Sequence, residues 1–376
     1  MAGIPAAPCQ SPRGRTSLRL AIFPSFAVVF ARRFLHTFPM HATKNTPGKR
    51  GIPAAALFSL LLLAGCVHVP PPMPVPPPPI AQPLPPQPAA PQAPVEVLFA
   101  IQTRLDRANF SGGGIDGRWG AKSEKALAAW QRNTHRPVTG QLDDTLIAAL
   151  GSTNDILTTY AISEADHAAL TPYPSSWLER SKLDRMGHAS LEEMVAEKFH
   201  LYRATLRRLN PDAAWPNPPA GTVVTVPNVK SKPLPPLSKI EIRLAQKTLR
   251  AYDTNGLLVA HFPCSIAADK TKRPEGETLR VLVWAENPEY TFDPALFSED
   301  PAAAAIGKKL RIPPGPNNPV GLAWIGLDRP GYGIHGTPSP EDISKTESHG
   351  CFRMTNWDAQ KLVRAVRANL PVIVLP

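Results

Sequence analysis

The chain has 376 residues, of which 41 are basic and 30 acidic, so its formal net charge is +11. Eight basic residues and no acidic ones precede Cys66, which leaves 33 basic and 30 acidic residues, a net charge of +3, in the rest of the chain. This balance, without a basic patch interleaved with aromatic residues, gives no support for a nucleic-acid partner.

Residues 1–66 form a targeting segment. The basic pair Lys49 and Arg50 precedes an apolar run that is too short to span a bilayer and stops at small residues. The ending Leu63-Ala64-Gly65-Cys66 resembles the lipobox of bacterial lipoproteins, which implies that Cys66 is lipidated. This signal peptide is complete from Met40 onward, so Met40 is the expected start. By the same resemblance, Val67 favours the periplasmic face of the outer membrane.

Residues 67–94 are predicted to form a stalk. Fourteen of the 25 residues from Pro70 to Pro94 are proline, a composition that cannot build a core and favours an extended polyproline conformation. At about 3.1 Å per residue the stalk would reach roughly 75 Å, which is enough to hold the following domains well away from a membrane surface.

Residues 95–152 predict three short helices separated by two glycine-containing turns. The turn from Asp116-Gly117 to Gly120, followed by a helix that ends in Trp130-Gln131, resembles the small three-helix peptidoglycan-binding domain. That resemblance implies binding to peptidoglycan. A generic helical bundle is the alternative, and the binding interpretation is favoured because it agrees with the C-terminal domain described below.

Residues 155–229 predict a helix, a second helix and a short strand, without a clear first strand. Leu209-Asn210-Pro211 between helix and strand resembles the LysM module, which implies binding to glycan chains. An insertion around TPYPSSWLER lengthens the segment. The segment is therefore interpreted either as a glycan-binding module or as a structural spacer.

After a proline-rich hinge, residues 238–376 predict a mostly antiparallel β domain. Apolar and polar residues alternate around the hairpin signal Asn255-Gly256, and further β-type runs follow at LRVLVWA, GLAWIGL and PVIVLP. One helix is expected over 358–369, with Thr355 and Asp358 forming a capping box at its start. The whole chain is thus predicted to be a multidomain α+β protein.

The segment from His335 to Arg353 carries groups suited to acyl transfer through a cysteine nucleophile. A thiol with an ordinary pKa of about 8.5 is mostly protonated at neutral pH, so Cys351 needs a base or a positive dipole before it attacks a carbonyl. His335 and His349 are both candidates for that base. Gly350 allows a sharp turn that points backbone N–H groups toward a developing oxyanion.

This segment, with Gly-Thr after His335 and then Ser-His-Gly-Cys-x-Arg, resembles the signature of the L,D-transpeptidases of the YkuD type. The resemblance implies that Cys351 is the nucleophile, that His335 is its base, and that the Gly336 carbonyl orients the imidazole. It gives His349 an auxiliary role. The guanidinium fork of Arg353 suits a carboxylate of the substrate.

The resemblance implies attack of Cys351 on a peptidoglycan stem tetrapeptide, release of the terminal D-alanine, and transfer of the acyl group to an amine. It implies no metal, nucleotide or other cofactor. The acceptor stays open between a second stem's amine, a lysine of a lipoprotein, and water, which would make the enzyme an L,D-carboxypeptidase. The partners expected are peptidoglycan stem peptides and glycan, and a membrane through the lipid anchor.

Other interpretations of these residues fit the sequence less well. A zinc site from His335, His349 and Cys351 lacks the paired-cysteine spacing of structural zinc sites. Cysteine peptidases of other folds usually place the cysteine before the histidine, the reverse of the order here. An inert wall-binding lipoprotein that only tethers membrane to wall would not need intact His335 and Cys351. Cys264 follows an apolar run and is expected to be a buried structural residue.

Overall fold

The computed structural model describes residues 93–297, 301–346 and 350–376. The predictions for the targeting segment, for lipidation of Cys66, for the stalk up to residue 92 and for His349 lie outside the described residues. None of the helices within the described ranges combines the length and the hydropathy that a bilayer span requires.

The first part of the described chain is a three-helix domain, as the sequence predicts. Its helices are α1 (Val95–Arg107), α2 (Ala121–Asn133) and α3 (Asp144–Leu150). Two buried glutamines fix the turns between them. The Gln102 side chain accepts hydrogen bonds from the backbone N–H groups of Asp116 and Gly117, and Gln131 does the same for Thr139 and Gly140. The glutamine of the Trp130-Gln131 motif therefore has a structural role in holding the next turn.

The middle module contains two antiparallel strands with helices between them. Its elements are β1 (Leu157–Ala161), α4 (Glu164–Ala168), α5 (Trp177–Arg180), α6 (Leu191–Lys198), α7 (Arg203–Leu209) and β2 (Val223–Pro227). The two predicted helices and the short strand are α6, α7 and β2. The first strand is β1, which pairs along its whole length with β2. It escaped sequence analysis because its residues are mostly exposed and show no apolar alternation.

The C-terminal domain is a curled β-sheet of mostly antiparallel strands. Its strands are β3 (Leu237–Arg243), β4 (Thr248–Asp253), β5 (Leu258–Pro263), β6 (Thr278–Glu286), β7 (Tyr290–Phe292), β8 (Leu310–Ile312), β9 (Ala323–Leu327), β10 (Gly333–His335), β11 (Phe352–Arg353) and β12 (Pro371–Leu375). The large sheet has the order β11-β10-β9-β6-β12-β3-β4-β5, and β7 pairs separately with β8. An antiparallel bridge between Ser265, just after β5, and Arg353 in β11 brings the two ends of the sheet together.

The helices of this domain are the short α8 (Pro301–Ala304) and α9 (Asn356–Val363). The expected helix over 358–369 was wrong at both ends. The chain leaves the helix after Val363 because Val366 and Leu370 turn into the core and Asn369 adopts a left-handed conformation before β12. Thr355 does cap the helix by accepting from the Asp358 N–H. The Asp358 carboxylate makes no return bond in the described structure and instead lies 3.8 Å from the Lys361 ammonium.

The helical domain is joined to both other parts by backbone hydrogen bonds. Residues 109–111 extend the edge of β5, with the Ser111 N–H donating to the His261 carbonyl and the His261 N–H donating to the Asn109 carbonyl. The Ile115 N–H donates to the His200 carbonyl of the middle module. Because these bonds use backbone groups of an exposed sheet edge, the docking also protects that edge from other chains.

A buried ionic network lies where the three parts meet. The carboxylate of Asp106, from α1, contacts His200 Nδ1 at 2.8 Å and Lys361 Nζ at 3.3 Å. Burial alone would raise the pKa of Asp106, but the neighbouring His200 and Lys361 outweigh it and bring the pKa to about 2. The His200 ring stacks on Trp357 of α9. The network therefore fixes α9, which follows the candidate catalytic segment.

Candidate active site

His335 and Arg353 lie on the parallel strand pair β10 and β11, and Cys351 directly precedes β11. In the register of this pair Ile334 faces Phe352 and His335 faces Arg353. Side chains alternate between the two faces of a strand, so His335 and Arg353 share one face while Ile334 and Phe352 share the other. Ile334 and Phe352 are fully buried in the core. The face that carries His335 and Arg353 is therefore the one that can take part in a reaction.

Cys351 belongs to the same face, because it stands two residues before Arg353. Its Sγ lies 3.4 Å from the Gly331 carbonyl oxygen. Burial raises the pKa of the Cys351 thiol, although a backbone hydrogen bond from Gly333 and the charge of Arg353 partly oppose this. The thiol is therefore protonated at neutral pH and has to lose its proton as it attacks.

His335 is buried and is held by its own neighbour. Its Nδ1 lies 2.6 Å from the Gly336 carbonyl oxygen, which can only accept, so Nδ1 carries the proton and Nε2 is left as a base. Burial lowers the pKa of His335 to about 4, the Gly336 hydrogen bond opposes this, and the charge of Arg353 adds to it. The imidazole is neutral at physiological pH and is competent to accept the thiol proton.

Arg353 is anchored at both its backbone and its side chain. Its N–H and carbonyl form a pair of hydrogen bonds with Ser265, and its guanidinium donates to Thr346 Oγ1 at 3.1 Å. The electrostatic influence of Arg353 on both His335 and Cys351 places its positive charge beside the reacting groups. Gly350 precedes the cysteine with open space around its Cα.

Two aromatic residues that the sequence analysis missed complete the site. The Trp324 indole stacks on the His335 ring with centroids 5.8 Å apart and covers Gly333, next to the thiol. Tyr290, in β7, has a pKa raised first by burial and then by the charge that Cys351 carries when it is ionised. Alternation in GLAWIGL was the available signal for Trp324, whereas the sequence offered none for Tyr290.

The strand that carries Tyr290 rests on the middle module. Trp177, in the TPYPSSWLER insertion, stacks on Phe292 of β7 with centroids 4.4 Å apart, and its ring lies 6.4 Å from that of Tyr290. Met186 is fully buried in the same apolar cluster. The insertion therefore contributes to the wall of the site through the β7–β8 pair.

The buried amide of Asn356 links the site to the rest of the protein. Its Oδ1 accepts from the Leu322 N–H at 3.1 Å, and its Nδ2 donates to Glu197 of the middle module at 2.8 Å. A Cβ at Gly336 would lie 2.2 Å from this Oδ1, and a Cβ at Gly321 would lie 1.9 Å from it. Only glycine permits such an approach. Asn356 thus positions the Gly336 peptide, whose carbonyl holds His335.

With the geometry established, the chain can be compared with known proteins. Residues 238–374 match the family model of the YkuD L,D-transpeptidase catalytic domain. Residues 97–150 match the family model described as "Putative peptidoglycan binding domain".

Three similar relatives are named as L,D-transpeptidases. "Putative L,D-transpeptidase YkuD" of Bacillus licheniformis is 28% identical over 184 residues, which cover 49% of this chain and 93% of the relative. "Putative L,D-transpeptidase YqjB" of Bacillus subtilis is 36% identical over 118 residues, covering 29% and 57%. "Probable L,D-transpeptidase YcfS" of Escherichia coli is 28% identical over 188 residues, covering 49% and 58%. The latter two are thus matched over little more than half of their length.

A solved structure, the L,D-transpeptidase (residues 123-326) from Xylanimonas cellulosilytica, is similar over 77% of this chain and 100% of its own, at 17% identity and a TM-score of 0.32.

We predict that iodoacetamide modifies Cys351 but not Cys264 in the folded protein. Cys264 is fully buried, and burial raises the pKa of its thiol to about 12. Modification of Cys351 should slow in His335→Ala, which removes the base.

Since the pKa of His335 is about 4, the His335-dependent rate should persist from neutral pH to about pH 5 and be lost as pH falls through 4. Peptide mass spectrometry measures both rates. Equal rates in wild type and His335→Ala would contradict the pairing.

We predict that Asn356→Ala lowers both thermal stability and the rate of Cys351 alkylation at neutral pH. The substitution removes the partner of Glu197 Oε2 and of the Leu322 N–H, although Glu197 Oε1 keeps its contact with His188. It also releases the Gly336 peptide, so the alkylation rate should fall roughly tenfold or more through misplacement of His335. Asn228→Ala, which removes an amide that bonds only to Asp155 near the surface, is the matched control. A lower melting temperature with an unchanged alkylation rate would limit Asn356 to a structural role.

Proposed function

Because residues 238–374 form an L,D-transpeptidase catalytic domain and residues 97–150 a peptidoglycan-binding domain, we propose that this chain transfers peptidoglycan acyl groups through a thioester on Cys351. The observation that carries the proposal is the arrangement on β10 and β11. A nucleophile, a neutral base held by Gly336 and an anion-binding guanidinium share one face of two adjacent strands.

The reaction follows from the protonation states of these groups. As the Cys351 thiol attacks the carbonyl before the terminal D-alanine, its proton passes to His335 Nε2. Collapse of the tetrahedral intermediate breaks the amide bond, and His335 returns the proton to the leaving D-alanine amine. An acceptor amine then attacks the thioester, the new amide forms, and the thiol is restored. Arg353 binds a carboxylate of the donor.

An amine of a second stem peptide is the acceptor we propose, which makes the product a cross-link. A lysine of a lipoprotein would use the same donor half-reaction, as would water. An inert tether is disfavoured because the site keeps His335 neutral and Cys351 partly accessible, which a purely structural module would not require.

We further propose that the middle module is a LysM-like element with a structural role at the catalytic site. Its strand, helices and strand have the order of a LysM module, and its insertion and α6 contact the catalytic domain through Trp177 and Glu197. Glycan binding by this module stays a prediction. The contacts of Trp177 and Glu197 favour the spacer interpretation, extended to a supporting role for the site.

We predict that the protein incubated with a disaccharide-tetrapeptide gains the mass of the acyl donor less D-alanine, and that Cys351→Ala and His335→Ala each abolish this gain. Because nucleophile and base act as one unit, the double variant should be scarcely less active than either single variant. Intact-protein mass spectrometry detects the adduct. If the losses of the two single variants multiplied in the double variant, Cys351 and His335 would act independently, against the prediction. Formation of a dimeric muropeptide on addition of a second tetrapeptide would identify the amine acceptor.

We propose that Cys66 is the lipidated anchor and that the chain faces the periplasm from the outer membrane, on the support of Leu63-Ala64-Gly65-Cys66 and the stalk that follows. Each buried lipid CH₂ contributes about 0.8 kcal/mol, so several acyl chains hold a protein stably. Metabolic labelling with a fatty-acid analogue should mark the wild type and not Cys66→Ala. The Cys66→Ala protein should also be absent from the detergent-soluble membrane fraction. An unlabelled wild type would remove the anchor from the proposal.

A further inference from the structure

The face of the sheet that carries His335 and Arg353 continues over β9 and β6. The register places Trp324 of β9 opposite His335, and Ala285 of β6 opposite Trp324. With Arg353 at the other end, these four side chains form one row across the neighbouring strands β11, β10, β9 and β6. The row therefore has a guanidinium at one end, the base next to it, and aromatic and apolar side chains beyond the base.

A second row runs beside the first and begins at the nucleophile. Continuation of the β10–β11 register places Cys351 next to Gly333 of β10. The following positions in this row are Gly326 of β9 and Val283 of β6. Since neighbouring strands are about 4.8 Å apart, the row spans about 14 Å from Cys351 to Val283. Its two middle positions carry no side chain and leave room for one from the first row.

The Trp324 indole occupies that room. A Cβ at Gly333 would lie 2.5 Å from the indole Cη2, and a Cβ at Gly326 would lie 3.0 Å from the indole Nε1. The indole therefore lies across both glycines, with its six-membered ring on the side of Cys351. Val283 Cγ2 would lie 2.8 Å from the same Cβ at Gly326, so the valine adjoins the other end of the indole. We call the surface formed by Trp324 and Val283 the apolar track.

A β-bulge turns Val283 onto this face. By simple alternation with the buried Leu279 and Val281, Val283 would point into the core. The bulge after Val281 inserts one residue, and Val283 consequently lies opposite Gly326 on the catalytic face. There the valine is 59% exposed. Bulges are frequent beside active sites, where they redirect a side chain, so the position of Val283 indicates a role in binding.

We propose that the apolar track binds the acyl acceptor, and that Val283 and Trp324 select an acceptor whose amine ends a methylene chain. The identity of the reaction rests on the proposed function, whereas the preference for an aliphatic chain rests on the track itself. Arg353 lies on one side of His335 and the track lies on the other. A chain lying on the track therefore brings its amine to the base and to the thioester carbonyl, while the donor carboxylate occupies Arg353.

The track also favours the reactive form of the acceptor. An amine of the lysine type has a pKa of about 10.4 in water and is mostly protonated at neutral pH, whereas apolar surroundings disfavour the ammonium form. The neutral amine forms a bond to the thioester carbonyl carbon, one of its protons passes to His335 Nε2, the C–S bond breaks, and that proton returns to the Cys351 sulfur. Water has no chain to place on the track, which therefore favours transfer over hydrolysis.

The first test measures binding without a donor, through the protection of Cys351 in the full chain against iodoacetamide. n-Hexylamine should protect at a roughly tenfold lower concentration than ethylamine, because each of its four additional methylene groups contributes about a factor of two when it is half buried. Since Trp324 also stacks on His335, the variants are made at Val283. Val283→Ser should reduce the difference between the two amines to about threefold or less, and Val283→Leu should keep it. Val223→Ser, at a 61% exposed valine in β2, is the matched control and should behave as the wild type.

The second readout is the fate of the acyl-enzyme formed from the disaccharide-tetrapeptide. With n-hexylamine as acceptor, Val283→Ser should shift the product several-fold from the amide toward the hydrolysed tripeptide, with an unchanged rate of adduct formation on Cys351. Equal protection of the wild type by the two amines, or the same difference between them in Val283→Ser as in the wild type, would overturn the inference.

The two readouts separate this inference from the proposed function. A normal acyl adduct on Cys351 together with equal protection by the two amines refutes the inference alone. Protection that depends on chain length and on Val283, without an acyl adduct from the tetrapeptide, supports an aliphatic binding track and refutes the proposed function alone.

Discussion

The arrangement of the site depends on one buried amide. Asn356 accepts from Leu322 and donates to Glu197 and to the Pro316 carbonyl, and its oxygen approaches Gly336 more closely than any other residue would allow. The Gly336 carbonyl in turn fixes the tautomer of His335. Since an unpaired buried amide is costly, these partners hold each other in place. The base is positioned by packing that extends well beyond the catalytic segment.

Asn356 and the helix that it begins also connect the described domains to one another. Glu197 and His200 come from the middle module, and Asp106 comes from the helical domain. Asp106 contacts His200 and also Lys361, which lies on the next turn of α9. Removing one member of such a network leaves an uncompensated buried charge, which is far more damaging than loss of a surface ion pair. The helix α9, which follows Cys351, is therefore secured by both neighbouring parts of the chain. The peptidoglycan-binding domain and the L,D-transpeptidase catalytic domain are thus joined in one continuous structure.

Much of this architecture could be predicted from the sequence, and the misses have physical causes. The helical domain, the hairpin at Asn255-Gly256 and the β-type runs follow from local periodicity and turn chemistry, and all are present. The strand β1 and the true end of α9 depend on long-range pairing and on burial of Val366, which local patterns do not encode. Tyr290 and Glu197 reach the site from elements distant in sequence. The sequence motif identifies the residues that are expected to react, but not the residues from distant elements that position them.

The electrostatics of the site favour proton transfer during attack over a preformed ion pair. Burial disfavours both charged forms, raising the pKa of Cys351 and lowering that of His335 to about 4. The positive charge of Arg353 stabilises a Cys351 thiolate but destabilises a His335 imidazolium. Its two effects on a thiolate–imidazolium ion pair therefore oppose each other. When a donor carboxylate binds Arg353, that positive charge is partly neutralised and His335 accepts a proton more readily. Binding of a donor carboxylate would therefore prepare the base, whereas in the empty site the charge of Arg353 opposes protonation of His335 and slows transfer of the thiol proton.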